Sequence, residues 1–283
     1  MRKMDDVLIS NPEKLAEKIE KFKSGGVDSI HVLTDFDRTL TKAFRGKEKV
    51  STLFAEIRNG HYLTPDYASR AHALFDKYHP IEIDGSIDKK DKDRAMQEWW
   101  RFHFDLLIEC GLNKEVMRDI IQKRTIEPRS GVGYFFEQLK NKNIPAVIMS
   151  AAIGDMVLMY LEQERLLQNN IYVVANFFEF DENGVVTKIK KPIIHSLNKS
   201  EIALSDFPFY EKIKDRKNII LLGDGIDDIG MAEGFEYDEI ISVGFLNENT
   251  NDNREPFQKN FDVVITGDGD MGYVNEMMGK ILE

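Results

Sequence analysis

From Ile30 onward the chain alternates short apolar runs rich in β-forming residues with stretches of helical pattern, and few architectures accept that alternation. The runs cover residues 30–34, 144–149, 171–175, 218–222, 240–245 and 262–266. Helical patterns separate them, for example at 155–165 and 227–233, which implies a parallel sheet covered by helices on both faces. An opening helix is marked by Asn11 as its cap, Pro12 in its first turn and Gly25-Gly26 as its stop. The expected fold class is α/β, a doubly wound parallel-sheet (Rossmann-like) core.

One interval breaks the rhythm. The roughly 80 residues between the first two strands carry no convincing strand and far exceed an ordinary crossover connection. Three or so helices fit there, at 65–78, 88–109 and 113–124. A helical insertion just past the first strand's carboxyl end has the character of a lid over a site. The expected division is a core of residues 1–43 and 127–283 with an inserted helical cap domain of residues 44–126. A β-hairpin is expected where Asn183-Gly184 separates apolar runs at 177–180 and 185–189.

Several function classes are disfavoured by composition. A formal charge of −11 on 283 residues repels polyanions, so nucleic acid polymers and anionic membranes are poor partners. A small phosphate ester remains compatible, because a metal ion and a few basic groups reverse the potential locally. The single cysteine, Cys110, reads as a buried helix residue and suits a reducing compartment. The first ten residues do not read as a signal peptide, and no run approaches the ~20 apolar residues of a membrane span, so a cytoplasmic location is expected.

Chemistry-bearing residues gather just past the apolar runs: Asp35 and Asp37 after the first, Ser150 after the second, Asp224 and Asp228 after residues 218–222. In an open parallel sheet, ligands bind outside the carboxyl ends of the strands, so these distant residues are expected to converge. Four carboxylates in one place are unfavourable without a cation, and a hard divalent ion such as Mg²⁺ resolves the repulsion. On a continuing strand, Asp35 and Asp37 would point the same way, letting one attack while the other handles a proton.

The segment Asp35-Phe36-Asp37-Arg38-Thr39-Leu40-Thr41 resembles the first motif of the haloacid dehalogenase superfamily of phosphotransferases. Ser150 resembles its second motif, Lys199 its third-motif lysine, and Gly223-Asp224-Gly225-Ile226-Asp227-Asp228 its acidic fourth motif. Segments at 81–84, 96–100, 150–155, 176–181, 194–199 and 218–234 are further similar to the cytosolic pyrimidine 5′-nucleotidases. The resemblance implies a Mg²⁺-dependent 5′-nucleotidase that hydrolyses pyrimidine nucleoside 5′-monophosphates through an aspartyl-phosphate. It implies that Asp35 is the nucleophile, Asp37 the general acid and base, that Ser150 and Lys199 bind the phosphoryl group, and that Ala151 is a further substrate-binding residue. It implies metal ligation by Asp35, Asp224 and the backbone carbonyl of Asp37, with Asp228 orienting Lys199 or metal-bound water. Glu82 and His103 are the residues it offers for contacts to the nucleoside.

Plainer roles fit other features. Trp99, Trp100, Phe102 and Phe104 crowd one helix, mostly as core. His195 reads as structural, the charge run at 88–93 as a solvated helix start, and Gly267-Asp268-Gly269-Asp270 as a turn rather than a calcium loop. Arg38 suits either a solvated charge or an extra phosphate contact. The position of Lys199 in Asn198-Lys199-Ser200, opening a helix, favours it over Lys188, Lys190 and Lys191. Rival functions are a phosphatase of a sugar phosphate or phosphoserine, a nucleoside phosphotransferase, and a non-catalytic nucleotide-binding protein. A monomer or weak dimer is expected.

Overall fold

The computed structural model describes residues 7–199 and 204–283. In chain order the elements begin with β1 (Val7–Ile9), α1 (Pro12–Gly25) and β2 (Ile30–Thr34). A small hairpin, β3 (Phe44–Arg45) and β4 (Glu48–Lys49), leads into the helices α2 (Leu53–Asn59), α3 (Tyr67–Ile83), α4 (Lys89–Glu109) and α5 (Lys114–Gln122). Then come α6 (Val132–Asn141), β5 (Ala146–Ile153), α7 (Gly154–Gln163), β6 (Ile171–Asn176), β7 (Phe178–Phe180) and β8 (Val186–Ile189). The chain closes with β9 (Asn218–Gly223), β10 (Glu239–Leu246), α8 (Thr250–Asn260), β11 (Val263–Thr266) and α9 (Gly272–Leu282).

The main sheet has the order β1-β11-β10-β9-β2-β5-β6. Side-chain alternation distributes its strands between two cores. Ile30 and Val32 of β2, Ala146 and Ile148 of β5, and Ile220 and Leu222 of β9 join one apolar cluster. Leu33, Val147, Met149, Ile219 and Leu221 join the other, on the opposite face. Burial on both faces explains why these strands read as continuous apolar runs. The strand order reverses at β2, which pairs in parallel with β5 on one side and β9 on the other. That reversal opens a crevice at the carboxyl ends of β2 and β9.

The structure corrects the sequence reading in four places. The sheet is not wholly parallel, because β1 pairs antiparallel with β11. The interval after β2 contains a hairpin with Phe44 opposite Lys49, and an additional short helix, α2, capped by the Thr52 hydroxyl accepting from the Ala55 N–H. Strand β5 starts at Ala146 and runs through Ser150 to Ile153, so Ser150 lies within the strand. The expected helix at 227–233 is a 3-10 helix, Ile226–Ala232. The helix expected to open at Lys199-Ser200 lies outside the described residues. No helix among the described residues is long and apolar enough to cross a membrane.

Candidate active site

The ladder between β2 and β9 carries the site. Thr34 is level with Leu222, and the Asp35 N–H donates to the Leu222 carbonyl at 2.9 Å. Asp35 and Asp224 therefore emerge side by side at the carboxyl edge. One carboxylate oxygen from each of Asp35, Asp224 and Asp228 lies within 4.8 Å of the others. Asp228 reaches this point because the 3-10 turn folds it back: its Oδ2 accepts from the Asp224 N–H at 3.1 Å and the Gly225 N–H at 3.0 Å. Gly223 makes room for it, since a Cβ there would sit 2.5 Å from Asp228 Cβ.

Lys199 offsets part of this charge. Its ammonium donates to Asp35 Oδ1 at 2.5 Å and to Asp228 Oδ1 at 2.7 Å, and all three residues are buried. Burial pulls the Lys199 pKa down, but the Asp228 and Asp35 charges outweigh it and raise the group above its ordinary value. Burial raises the Asp35 carboxyl, against the pull of Lys199 and with the push of Asp228. Asp224 is raised well above the carboxylate range by burial and by the charges of Asp35 and Asp228.

After β2 the chain does not continue as a strand. The Leu40 N–H returns to the Phe36 carbonyl at 3.0 Å, and the Arg38 N–H donates to the Thr41 hydroxyl at 2.8 Å, with Arg38 at a φ of 60°. Strand alternation therefore does not set the direction of Asp37, and its side chain stands outside the three-carboxylate set. Asp37 Oδ1 is buried with no hydrogen-bond partner among the described residues, as is the Thr39 hydroxyl. Burial and the Asp35 charge push the Asp37 carboxyl up to about 7, opposed by Arg38 and the Leu53 N–H. A group balanced there can both give and take a proton near neutral pH. Arg38 is tied to Glu248 at 3.2 Å.

Ser150 is buried on β5, two residues past the Thr34–Ile148 pair, and its Oγ accepts from the Ala152 N–H at 3.0 Å. The Ala151 carbonyl is held by the Asn176 side chain at 2.7 Å. Glu82, near the end of α3, accepts from the Ser196 hydroxyl at 2.7 Å and faces His79 Nδ1 at 3.1 Å. His103 is buried among Phe54, Trp100 and Tyr67, with Nε2 3.0 Å from the Tyr67 hydroxyl. Burial lowers its pKa to about 4, so it is neutral near pH 7. Phe54 packs edge-on to Trp100 at 4.6 Å, and the Trp100 indole nitrogen is buried without a partner among the described residues. Phe102 is 36% exposed, unlike Trp99 and Phe104, which are core.

Arg129 supports the site although no sequence motif marked it. It is 1% exposed; its guanidinium donates to the carbonyls of Thr39 (2.7 Å), Gly269 (2.6 Å) and Arg38, and to Asn247 Oδ1 (3.0 Å). It pairs with Asp268 at 3.2 Å. Asp268 in turn accepts from the Ala43 and Phe44 N–H groups at 2.8 and 3.0 Å. The turn read at 267–270 is thus a turn, and it clamps the loop that follows Asp35. The sequence signal was thin: a lone arginine after Pro128, with partners more than 80 positions away.

The residues fit a hard divalent cation. Three mutually close carboxylates repel one another, and a single ammonium offsets only part of that charge. Asp35 and Asp224 would hold the ion; both Asp228 oxygens already have partners.

Comparison with known proteins identifies the relatives of this chain. The chain is 33% identical to the 7-methylguanosine phosphate-specific 5′-nucleotidase A of Xenopus laevis over 97% of its own length and 95% of that protein. It is 32% identical to the 7-methylguanosine phosphate-specific 5′-nucleotidase of Homo sapiens, over 98% and 92%. Among solved structures, cytosolic 5′-nucleotidase IIIB bound to cytidine superposes with a TM-score of 0.90 at 27% identity, covering 99% of this chain and 94% of that one. A substrate-bound phosphoserine phosphatase superposes at 0.52 with 18% identity, over 87% of this chain and 96% of that one, a likeness of fold alone. The family model for pyrimidine 5′-nucleotidase (UMPH-1) matches residues 38–282, and with the aspartate set in place at the strand ends the chain belongs to that family of phosphomonoester hydrolases.

Proposed function

We propose that the chain hydrolyses nucleoside 5′-monophosphates to nucleoside and phosphate, with Asp35 as the nucleophile. The observation that carries this reading is the buried constellation of Asp35, Lys199, Asp228 and Asp224 at the carboxyl ends of β2 and β9. An Asp35 oxygen bonds to phosphorus as the P–O5′ bond breaks, and Asp37 gives its proton to the departing O5′. A water oxygen then bonds to phosphorus, its proton passes to Asp37, and the Asp35–phosphorus linkage breaks to release phosphate. Lys199 and the Ser150 hydroxyl bind the phosphoryl oxygens, where transition-state charge spreads. Mg²⁺ held by Asp35, Asp224 and the Asp37 carbonyl would supply positive charge against carboxylate–phosphate repulsion.

The helices of residues 44–126 form the cap in this reading, and Glu82 with the Phe54–Trp100 aromatic pair is the place for the base. Pyrimidine and 7-methylguanine bases are both admitted. The first is supported by the family and by the cytidine bound to one relative, the second by the names of the relatives above. Turnover of CMP, UMP, 7-methylguanosine 5′-monophosphate, AMP and phosphoserine, measured side by side, tests the reading. A lead for phosphoserine over every nucleotide would contradict it.

A further inference from the structure

The segment that delivers Lys199 is gripped by the helical insertion residue by residue. His195 is fully buried, and its Nδ1 accepts from the Leu197 N–H at 3.3 Å, so its Nε2 carries the proton. That Nε2 lies 3.3 Å from Asp93 Oδ1 and 3.0 Å from the Gln97 side-chain amide, both on α4. An N–H at His195 Nε2 requires Gln97 to turn its amide oxygen toward it. Ser196 donates to Glu82 on α3 at 2.7 Å. Leu197 packs against the cluster of Tyr78, Met96 and Trp99 from α3 and α4. The charge run at 88–93 is therefore not wholly a solvated face, since Asp93 meets a buried histidine.

The segment itself has little slack. Asn198 accepts from the His195 N–H at 2.8 Å and donates to the Ile193 carbonyl at 2.9 Å. Asn176 holds Ile194 at both its N–H and its carbonyl, each at 2.8 Å. The segment is thus fixed by hydrogen bonds at Ile194, His195 and Asn198, up to the residue before Lys199.

We propose that His195 is a positioning residue for Lys199: through Gln97 on α4, and beside the Ser196–Glu82 bond to α3, it ties the seating of the two helices to the placement of the Lys199 ammonium between Asp35 and Asp228. The proposal rests on the reading of Lys199 as the phosphoryl-binding lysine. A substrate that seats the helices brings the cation to the reacting phosphoryl group; one that does not seat them leaves it displaced. Fit to the nucleoside is then read out in the chemical step as well as in binding.

The test is a double-mutant cycle with Gln97→Ala, on a partly exposed part of α4, and Lys199→Arg, using CMP and 7-methylguanosine 5′-monophosphate. Gln97→Ala is expected to lower kcat roughly ten- to a hundredfold while KM moves less than about twofold and Tm holds, because the reacting groups are displaced and not removed. His195→Gln should show the same split. Combined with Lys199→Arg, Gln97→Ala should cost nothing further, since both act through one ammonium. Wild-type kcat in Gln97→Ala, or losses that multiply in the double variant, would overturn the proposal. Full turnover by Lys199→Met would overturn the reading of Lys199 beneath it, and the proposal with it.

Discussion

Lys199 Nζ stands 2.5 Å from Asp35 Oδ1, although the two residues are 164 positions apart in the chain. Under the proposed mechanism the contact would offset the charge of the nucleophile before substrate binds and place a cation where the phosphoryl group arrives. Everything around the pair serves to hold it: the β2–β9 ladder under Asp35, Asp228 on the far side of the ammonium, and the 193–199 segment behind Lys199.

Stability of the metal-free protein should respond to pH through this carboxylate set. Asp35, Asp37 and Asp224 titrate higher in the folded protein than in the unfolded chain, where carboxyls titrate near ~4. The folded state then binds more protons from about pH 4 to about pH 7, so this contribution to stability falls as pH rises. A cation binds the ionised set, so its stabilisation grows over the same range. His31, His103 and His195, lowered to about 4 by burial, act in the opposite sense, losing stability as pH falls from their unfolded value toward 4. They are not part of the carboxylate set and cancel in a comparison with and without metal. Thermal melts should show a larger Tm gain from MgCl₂ at about pH 8 than at about pH 5.5, and little gain in Asp224→Ala. Equal gains at both pH values would count against the metal site.

Asp37→Asn should separate substrates by their leaving groups. A nucleoside O5′ needs a proton as it departs, whereas p-nitrophenolate leaves readily without one. The variant should lose roughly 10²- to 10⁴-fold in kcat on a nucleoside monophosphate and distinctly less on p-nitrophenyl phosphate. Equal losses on both would argue that Asp37 does not supply that proton.

Gly223→Ala tests the fit between strand and turn. The new methyl would meet Asp228 Cβ at 2.5 Å and Oδ2 at 2.6 Å, neither on a long flexible side chain. Asp228 must move, and it loses its hold on Lys199 and on the Asp224 N–H. Activity and the Tm gain from MgCl₂ should drop together; a variant unchanged in both would show the turn to be tolerant.

The core strands were legible in the sequence because burial on both faces writes them as bare apolar runs, and polar residues past their ends mark the edge where the site gathers; their order in the sheet was not. Asp35 and Asp224 converge as their positions past the strand ends implied, and Lys199 joins them as the resemblance to the third motif implied. Strand β1 escaped notice because Val7–Ile9 is short and sits at the sheet edge, held by partners more than 250 positions away. The condition for Asp35 and Asp37 to share a direction, a continuing strand, is not met, because the chain leaves extended geometry after Thr34, which strand alternation cannot foresee. Arg129 went unmarked because its importance lies in which distant backbone groups it meets.

Arg129→Ala should be costly far beyond its own contacts. It would leave Asp268 without its buried cation and the Thr39, Gly269 and Arg38 carbonyls without donors. A loss of about 3–5 kcal/mol is expected in denaturant unfolding, the range for breaking a buried ion pair from one side. A loss below about 1 kcal/mol would mean that water replaces the guanidinium.

The most direct test of the central claim is phosphate release in Mg²⁺ from CMP, UMP, 7-methylguanosine 5′-monophosphate, AMP and phosphoserine, by the wild type and Asp35→Asn in parallel. The account predicts that a nucleoside monophosphate leads and that the variant, still folded by its melt, is slower by at least ~10³-fold. Turnover by Asp35→Asn at the wild-type rate would contradict the assignment of the nucleophile, and with it the mechanism.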